Sequence, residues 1–248
     1  MSSYVKLLLS AFILISPLLG LSQNFRYLPT STTGQVIYHK HYSLSYSEEH
    51  EQAEWTAYQL KKERLIRVFP RLNNFKIDRL IPTGSSNLSD YRKSGFDRGH
   101  LVPARDMSFS KSAMNESFYL SNISPQRKSF NRGVWRKLES LVRSWAIEYD
   151  DIYVISAGVL NTSNLTIGPN KVTVPTFFYK VILHYNDIDI KAIAFLIPNT
   201  KSAKELSKFV CSVDHIEELT GIDFFPELPD SIESVVERQS RTNQWIWN

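Results

Sequence analysis

Asp97-Arg98-Gly99-His100 places a carboxylate, a guanidinium, a residue without a side chain and an imidazole in four consecutive positions. Hydrolysis of a phosphate ester uses such groups. The imidazole of His100 can take a proton from water near neutral pH, because its ordinary pKa lies close to the working pH. Arg98 presents a permanently charged planar fork that matches phosphate oxygens. Asp97 can orient a neighbour through a charge-assisted hydrogen bond, and Gly99 permits a sharp turn or a close approach. The same four residues also suit a tight turn closed by an Asp97–Arg98 pair, in which His100 has no task.

A second cluster lies downstream in Phe130-Asn131-Arg132-Gly133-Val134-Trp135. Asn131 offers a neutral carbonyl oxygen, a hard ligand that Mg²⁺ accepts while keeping waters and taking phosphate oxygens; Mn²⁺ accepts the same donors. It is equally placed to cap the helix that follows. Glu139 would sit on that helix about 80° round and about 12 Å along from Asn131, so it would reach a shared ion only by bending back or through water. Its competing role is an i,i+4 ion pair with Arg143. Arg127, Lys128, Arg132, Arg136, Lys137 and Arg143 are opposed in this stretch only by Glu139. They could neutralise backbone phosphates, giving salt-sensitive binding without sequence information, or form a solvated helix face.

These residues need elements to hold them. Alternation over 36–46 predicts a strand, the spacing of Trp55, Tyr58 and Leu60 a helix over 49–62, and 64–69 a further strand. Residues 71–95 read as a long loop leading into Asp97, and 118–120 as a brief strand. Trp135, Leu138, Leu141, Val142 and Trp145 recur at helical spacing and predict a helix over 133–149. Strands are expected at 152–156, 177–185 and 190–197, the last two joined as a hairpin through Asn186-Asp187, one or two helices at 202–219, and a last short helix at 230–237. Strands and helices do not alternate, so the expected class is α+β, with a largely antiparallel central sheet flanked by helices.

Lys6 followed by an apolar run interrupted by Pro17 reads as a cleavable export leader over residues 1–22, too short for a spanning helix. Residues 23–248 are then expected to form one domain, periplasmic or extracellular and without stable membrane association. The formal net charge of +4 is only mildly basic, so the placement of charge matters more than its sum. Cys211 is the single cysteine. It excludes an intramolecular disulfide, lies far from any lipoprotein cleavage point, and reads as a small apolar residue. His39 and His41 share one strand face and could together touch a metal, but without a third ligand nearby they read as a polar strand face.

Ser94-Gly95-Phe96-Asp97-Arg98-Gly99-His100-Leu101-Val102-Pro103-Ala104, then Met114 with residues 118–126, then residues 131–139, form a sequence of motifs that resembles a secreted bacterial member of the DNA/RNA non-specific endonuclease family. The likeness extends in weaker form over residues 42–229, through Ile167-Gly168-Pro169-Asn170-Lys171-Val172 and Thr220-Gly221-Ile222-Asp223-Phe224-Phe225. It implies a ββα-metal active site that hydrolyses DNA and RNA and leaves 5′-phosphate ends. It implies His100 as general base, Asn131 as the one direct ligand of a Mg²⁺ ion (Mn²⁺ possible), and Glu139 as holder of the metal's waters. Arg98 would lie near the phosphate or in a buried pair with Asp97, Arg71 would stabilise phosphate charge, and Asn122 would organise the site from the preceding strand. Substrate contact falls to Arg132 and Arg136, with Asp97 beside them.

The chain departs from the family's text at Ala104-Arg105-Asp106 and Ser156-Ala157-Gly158, where relatives often carry Ala-Ala-Asp and Thr-Gly-Pro; Arg105 could add a phosphate contact or pair with Asp106, the pairing being slightly preferred. Two other functions fit the same residues: a non-catalytic nucleic-acid-binding protein of this fold, and a phosphodiesterase for small nucleotides.

Overall fold

The computed structural model describes residues 27–186 and 188–247. The leader expected at 1–22 and Asp187 of the expected hairpin turn lie outside them. Seven antiparallel strands form the central sheet: β1 (Val36–Tyr38), β2 (Ser43–Ser47), β3 (Gln52–Lys61), β6 (Asp151–Gly158), β9 (Phe177–Tyr185), β10 (Ile190–Pro198) and β11 (Val210–Cys211), in that spatial order. β9 and β10 form the expected hairpin and are buried almost throughout.

That continuous burial follows from covering both sheet faces. Lys180 lies opposite Ser156 and Phe195 in register. On that face Trp145, from helix α4 (Arg136–Glu148), stacks on Phe195 with ring centroids 6.1 Å apart. The neighbouring Tyr179 points the other way and meets Phe224 edge-on at 5.5 Å. The helix expected over 133–149 thus exists as α4, because Leu138, Leu141, Val142, Trp145 and Ala146 give it one buried stripe. Each large apolar side chain so buried contributes about 1.5–3 kcal/mol.

β4 (Asp97–His100) and β5 (Ile123–Gln126) stand apart as an antiparallel ribbon beside the sheet, and β7 (Thr166–Ile167) pairs with β8 (Val172–Thr173) as a second, shorter one. From β5 the chain enters α3 (Lys128–Phe130), a π turn (Asn131–Trp135) and α4, which completes a ββα unit. Between the two strands lies α2 (Lys111–Glu116), capped by the Ser110 hydroxyl. The expected loop over 71–95 holds one short helix, α1 (Leu88–Tyr91), closed by an Asn87–Asp90 capping box.

Several expected elements differ. Residues 49–62 contain strand β3, not a helix. Its polar residues are buried with remote partners: Gln52 donates to the Thr173 carbonyl at 2.6 Å, Glu54 accepts from Ser45 at 2.6 Å, and Thr56 donates to the Ser156 carbonyl at 2.8 Å. Buried polar residues blur the alternation a strand would show. Residues 64–69 form no strand; Val68 and Phe69 both donate to the Ser108 carbonyl, and Ile66 is exposed. The strand expected at 36–46 is a hairpin, β1 to β2, closed by His39 donating to the Tyr42 carbonyl at 2.9 Å. Residues 118–120 make only a single bridge from Tyr119 to Lys76 before a 3₁₀ turn. In 202–219 a short turn and β11 precede the one helix, α5 (Val213–Thr220). The last expected helix is present as α6 (Asp230–Arg238).

Candidate active site

Asp97-Arg98-Gly99-His100 is a strand, not a tight turn, and Gly99 is required by a neighbour rather than by its backbone angles. A Cβ there would lie 2.1 Å from the Cδ of the fully buried Gln126 on the paired strand. The flat ribbon that results carries His100 to the floor of a cleft of about 360 Å³. Arg71, Asp97, Arg98, Asn131, Arg132, Arg136 and Glu139 line the same cleft, so eight of the nine residues singled out in the sequence meet in one place.

His100 is only 7% exposed, and its Nε2 has no hydrogen-bond partner. Phe118 meets the imidazole edge-on at 4.8 Å and Phe75 at 5.5 Å. These two rings also hold the arginines: Arg98 lies 4.4 Å from the Phe75 centroid and Arg71 5.3 Å from that of Phe118. Burial, with the Arg71 and Arg98 charges, pushes the imidazole down to about 3. It is therefore neutral at physiological pH, with the Nε2 atom unpartnered.

Asp97 does not pair with Arg98. Its two oxygens accept from Arg132 Nη2 and Nε at 2.9 and 2.8 Å, and Oδ2 also accepts from the Asn131 amide at 3.0 Å. Burial acts to raise the Asp97 carboxyl, but the Arg132 and Asn131 hydrogen bonds outweigh it and hold the group below its ordinary value. Asp97 thus orients Arg132 and Asn131 within the cleft. An ionised carboxylate only accepts, so Asn131 must turn its NH₂ to Asp97, which leaves its carbonyl oxygen available. Asn131 is not the N-cap expected; Arg127 holds that position in α3, and Asn131, with helical angles, stands at the C-terminal end of α3.

The π turn after Asn131 alters the expected relation to Glu139. The chain kinks at Gly133 (φ −108°, ψ −111°), so the straight-helix separation of about 80° does not hold, and both residues reach the cleft. Glu139 does not take Arg143 as its partner. Arg143 Nη1 donates to Asp106 Oδ1 at 2.9 Å, and Tyr58 donates to Asp106 Oδ2 at 2.7 Å. Arg105, expected to pair with Asp106, instead lines the cleft. Burial pushes the Glu139 carboxyl up to about 7; Lys180 opposes this and Asp106 adds to it.

Asn122 stays outside the cleft. It is fully buried in the turn before β5, donating to the carbonyls of Val102 and Ser117 at 3.0 and 2.9 Å and accepting from the Val102 N–H at 2.8 Å. It fixes the chain just after His100 and is a positioning residue. His39 and His41 do not converge on a metal: His39 pairs with Asp78 at 2.9 Å and His41 with Ser112 at 2.9 Å. Cys211 is half-buried, and burial pushes its thiol up to about 12, so it behaves as the apolar residue expected.

The sequence reading missed Phe75 and Phe118, which frame His100, and Lys180, a fully buried ammonium with no hydrogen bond, 4.7 Å from the Trp135 ring centroid. A lysine amid the apolar run of β9 was the available signal. The donor set fits a hard divalent ion: one amide oxygen from Asn131, one carboxylate from Glu139, and room for water and phosphate. Five arginines, Arg71, Arg98, Arg105, Arg132 and Arg136, face these two acids, Asp97 and Glu139, which suits a polyanion.

Residues 22–231 match the model of the DNA/RNA non-specific endonuclease family. The chain is 36% identical over 218 residues to the mitochondrial nuclease EXOG of Danio rerio, covering 81% of this chain and 63% of that protein. It is 34% identical over 214 residues to nuclease C1 of Cunninghamella echinulata var. echinulata, covering 79% and 85%. A solved chain of the EndoG/EndoGI complex superposes with a TM-score of 0.74 at 31% identity, covering 80% of this chain and 88% of that one. The chain spans about six-tenths of the length of the vertebrate EXOG relatives from fish, mouse and human.

Proposed function

The chain belongs to the DNA/RNA non-specific endonuclease family, and on that premise we propose that it is a metal-dependent endonuclease hydrolysing phosphodiester bonds of DNA and RNA. The observation that carries this reading is a buried, neutral imidazole with an unpartnered Nε2, in one cleft with a free amide oxygen and five arginines.

His100 accepts a proton from the attacking water; a positioned base of this kind contributes about 10²- to 10⁴-fold in rate. Arg98 and Arg71, braced on Phe75 and Phe118, hold the non-bridging phosphate oxygens and favour the charge that grows on them. Asn131, with its amide turned by Asp97, and Glu139, acting through water, would hold the ion. Mg²⁺ or Mn²⁺ bound there supplies charge neutralisation at the phosphate and the departing 3′ oxygen. Bond cleavage at that oxygen leaves a 5′-phosphate end. Arg132 and Arg136 lie at the rim and meet flanking phosphates, which carry no sequence information. The apolar leader over 1–22 supports export, which N-terminal sequencing of protein recovered outside the cytoplasm would read as a chain starting near residue 23.

Digestion of supercoiled plasmid, linear duplex and RNA with Mg²⁺, each with and without EDTA, tests the reading. The expected result is shortening of all three, with 5′-phosphate ends, stopped by EDTA. Binding without cleavage, or faster hydrolysis of mononucleotide esters than of polymers, overturns it.

A further inference from the structure

Far from the basic cleft, α5 and α6 meet at a corner whose linker carries Phe224 onto the sheet face opposite α4. Asp214 and Glu217 sit at i,i+3 on α5, Glu233 and Glu237 at i,i+4 on α6, and Asp223 in the linker, so the two helices turn their acidic faces towards one another. One carboxylate oxygen each from Asp214, Glu217 and Glu237 lie within 4.8 Å of one another, and so do oxygens from Asp223, Glu233 and Glu237. Oxygens on opposite sides of a Ca²⁺ ion are about 4.6–5.2 Å apart, so either trio can reach a single ion.

Glu237 belongs to both trios. It is 6% exposed, and its Oε1 has no hydrogen-bond partner. The four charges acting most strongly on it are carboxylates, those of Glu217, Glu233, Asp223 and Asp214. Among the described residues no salt bridge reaches any of the five. Gathering like charges around a buried, unpaired carboxylate is costly unless a cation joins them or a proton neutralises it.

We propose that the α5–α6 corner is a second divalent-cation site, of calcium chemistry, with Glu237 as the shared ligand and a structural rather than catalytic task. An all-carboxylate donor set excludes the nitrogen and sulfur ligands that favour zinc. Two overlapping trios suit the flexible six- to eight-oxygen shell of Ca²⁺ better than the strict, water-retaining octahedron of Mg²⁺. Ion binding would join the linker and both helices at a point where side-chain charge now drives them apart.

The test uses the full chain carrying Asn131→Ala, which removes the proposed ligand in the cleft, stripped with EDTA, desalted and titrated with CaCl₂ by calorimetry and thermal unfolding. The expected result is one ion per chain and a Tm raised by roughly 3–6 °C at ten times the dissociation constant. Adding Glu237→Gln should remove both signals. Should that variant fail to fold, Asp223→Asn, at an exposed position, should weaken binding several-fold. Absence of heat and of a Tm shift in the Asn131→Ala protein overturns the proposal, as does an undiminished response in the Glu237 or Asp223 variant. An equal response to MgCl₂ overturns the calcium assignment.

Discussion

Two buried histidines sit in neighbouring aromatic pockets built from consecutive residues, Tyr119 for one and Phe118 for the other. His39, 4% exposed, stacks on Tyr119 at 5.0 Å, and its Nε2 shares a 2.9 Å hydrogen bond with Asp78. Asp78 also accepts from the Ser121 hydroxyl at 2.5 Å and the Leu80 N–H at 3.0 Å. His100, 7% exposed, meets Phe118 at 4.8 Å but faces only the guanidinium charges of Arg71 and Arg98, with Nε2 unpartnered. The pockets share aromatic walls and differ in whether the polar atom is satisfied. His39 is satisfied within the fold by Asp78, whereas the unpartnered nitrogen of His100 lies beside the cleft.

Exchanging the two residues for alanine separates these roles. His100→Ala should lower the plasmid cleavage rate by about 10²- to 10⁴-fold, with Tm within a few degrees of the parent. Cleavage at the parental rate would remove His100 from the mechanism. His39→Ala should do the reverse, costing about 3 kcal/mol by leaving Asp78 short of a partner, or roughly 6–12 °C in Tm. Its cleavage rate, measured well below the melting range, should stay within a few-fold of the parent. A rate loss as large as that of His100→Ala would mean that the two pockets act as one unit.

The smallest effect concerns acid. The unfolded imidazole binds a proton below about 6.5, whereas folded His100 does so only near 3, so its contribution to stability is present above 6.5 and lost as pH falls. Between pH 6.5 and 5 that loss is about 2 kcal/mol, at about 1.4 kcal/mol per unit. Urea unfolding at the two pH values should show it in the parent and in His39→Ala but not in His100→Ala. His41, pushed down to about 4 by burial and by Lys40 and Arg64, contributes the same background to all three proteins. An unchanged slope in His100→Ala would show that His100 is not held neutral by the fold.

Legibility in the sequence followed burial on one side or two. Helix α4 was visible because its buried stripe recurs at helical spacing, and the β9–β10 hairpin because its runs are apolar throughout. Strand β3 was hidden because Gln52, Glu54 and Thr56 are buried and answered by Thr173, Ser45 and Ser156, two of them a hundred or more positions away. The site residues were visible as types, since imidazole, guanidinium and amide announce their chemistry. Their pairings were not. Asp97 took Arg132 rather than Arg98, and Asp106 took Arg143 and Tyr58 rather than Arg105.

What the sequence determined by itself was the inventory of chemistry: a base at His100, a hard oxygen at Asn131, arginines around both, and an α+β frame to hold them. Tertiary structure decided which of these groups are satisfied and which are left open. A side chain's partner depends on distances closed by the whole sheet, and its protonation on burial and neighbouring charge, neither of which is a property of the residues next to it in the chain. Hence the kink at Gly133 between Asn131 and Glu139, which both reach one cleft, and the unpartnered nitrogen of His100 emerge only when the ribbon, helix and sheet are assembled.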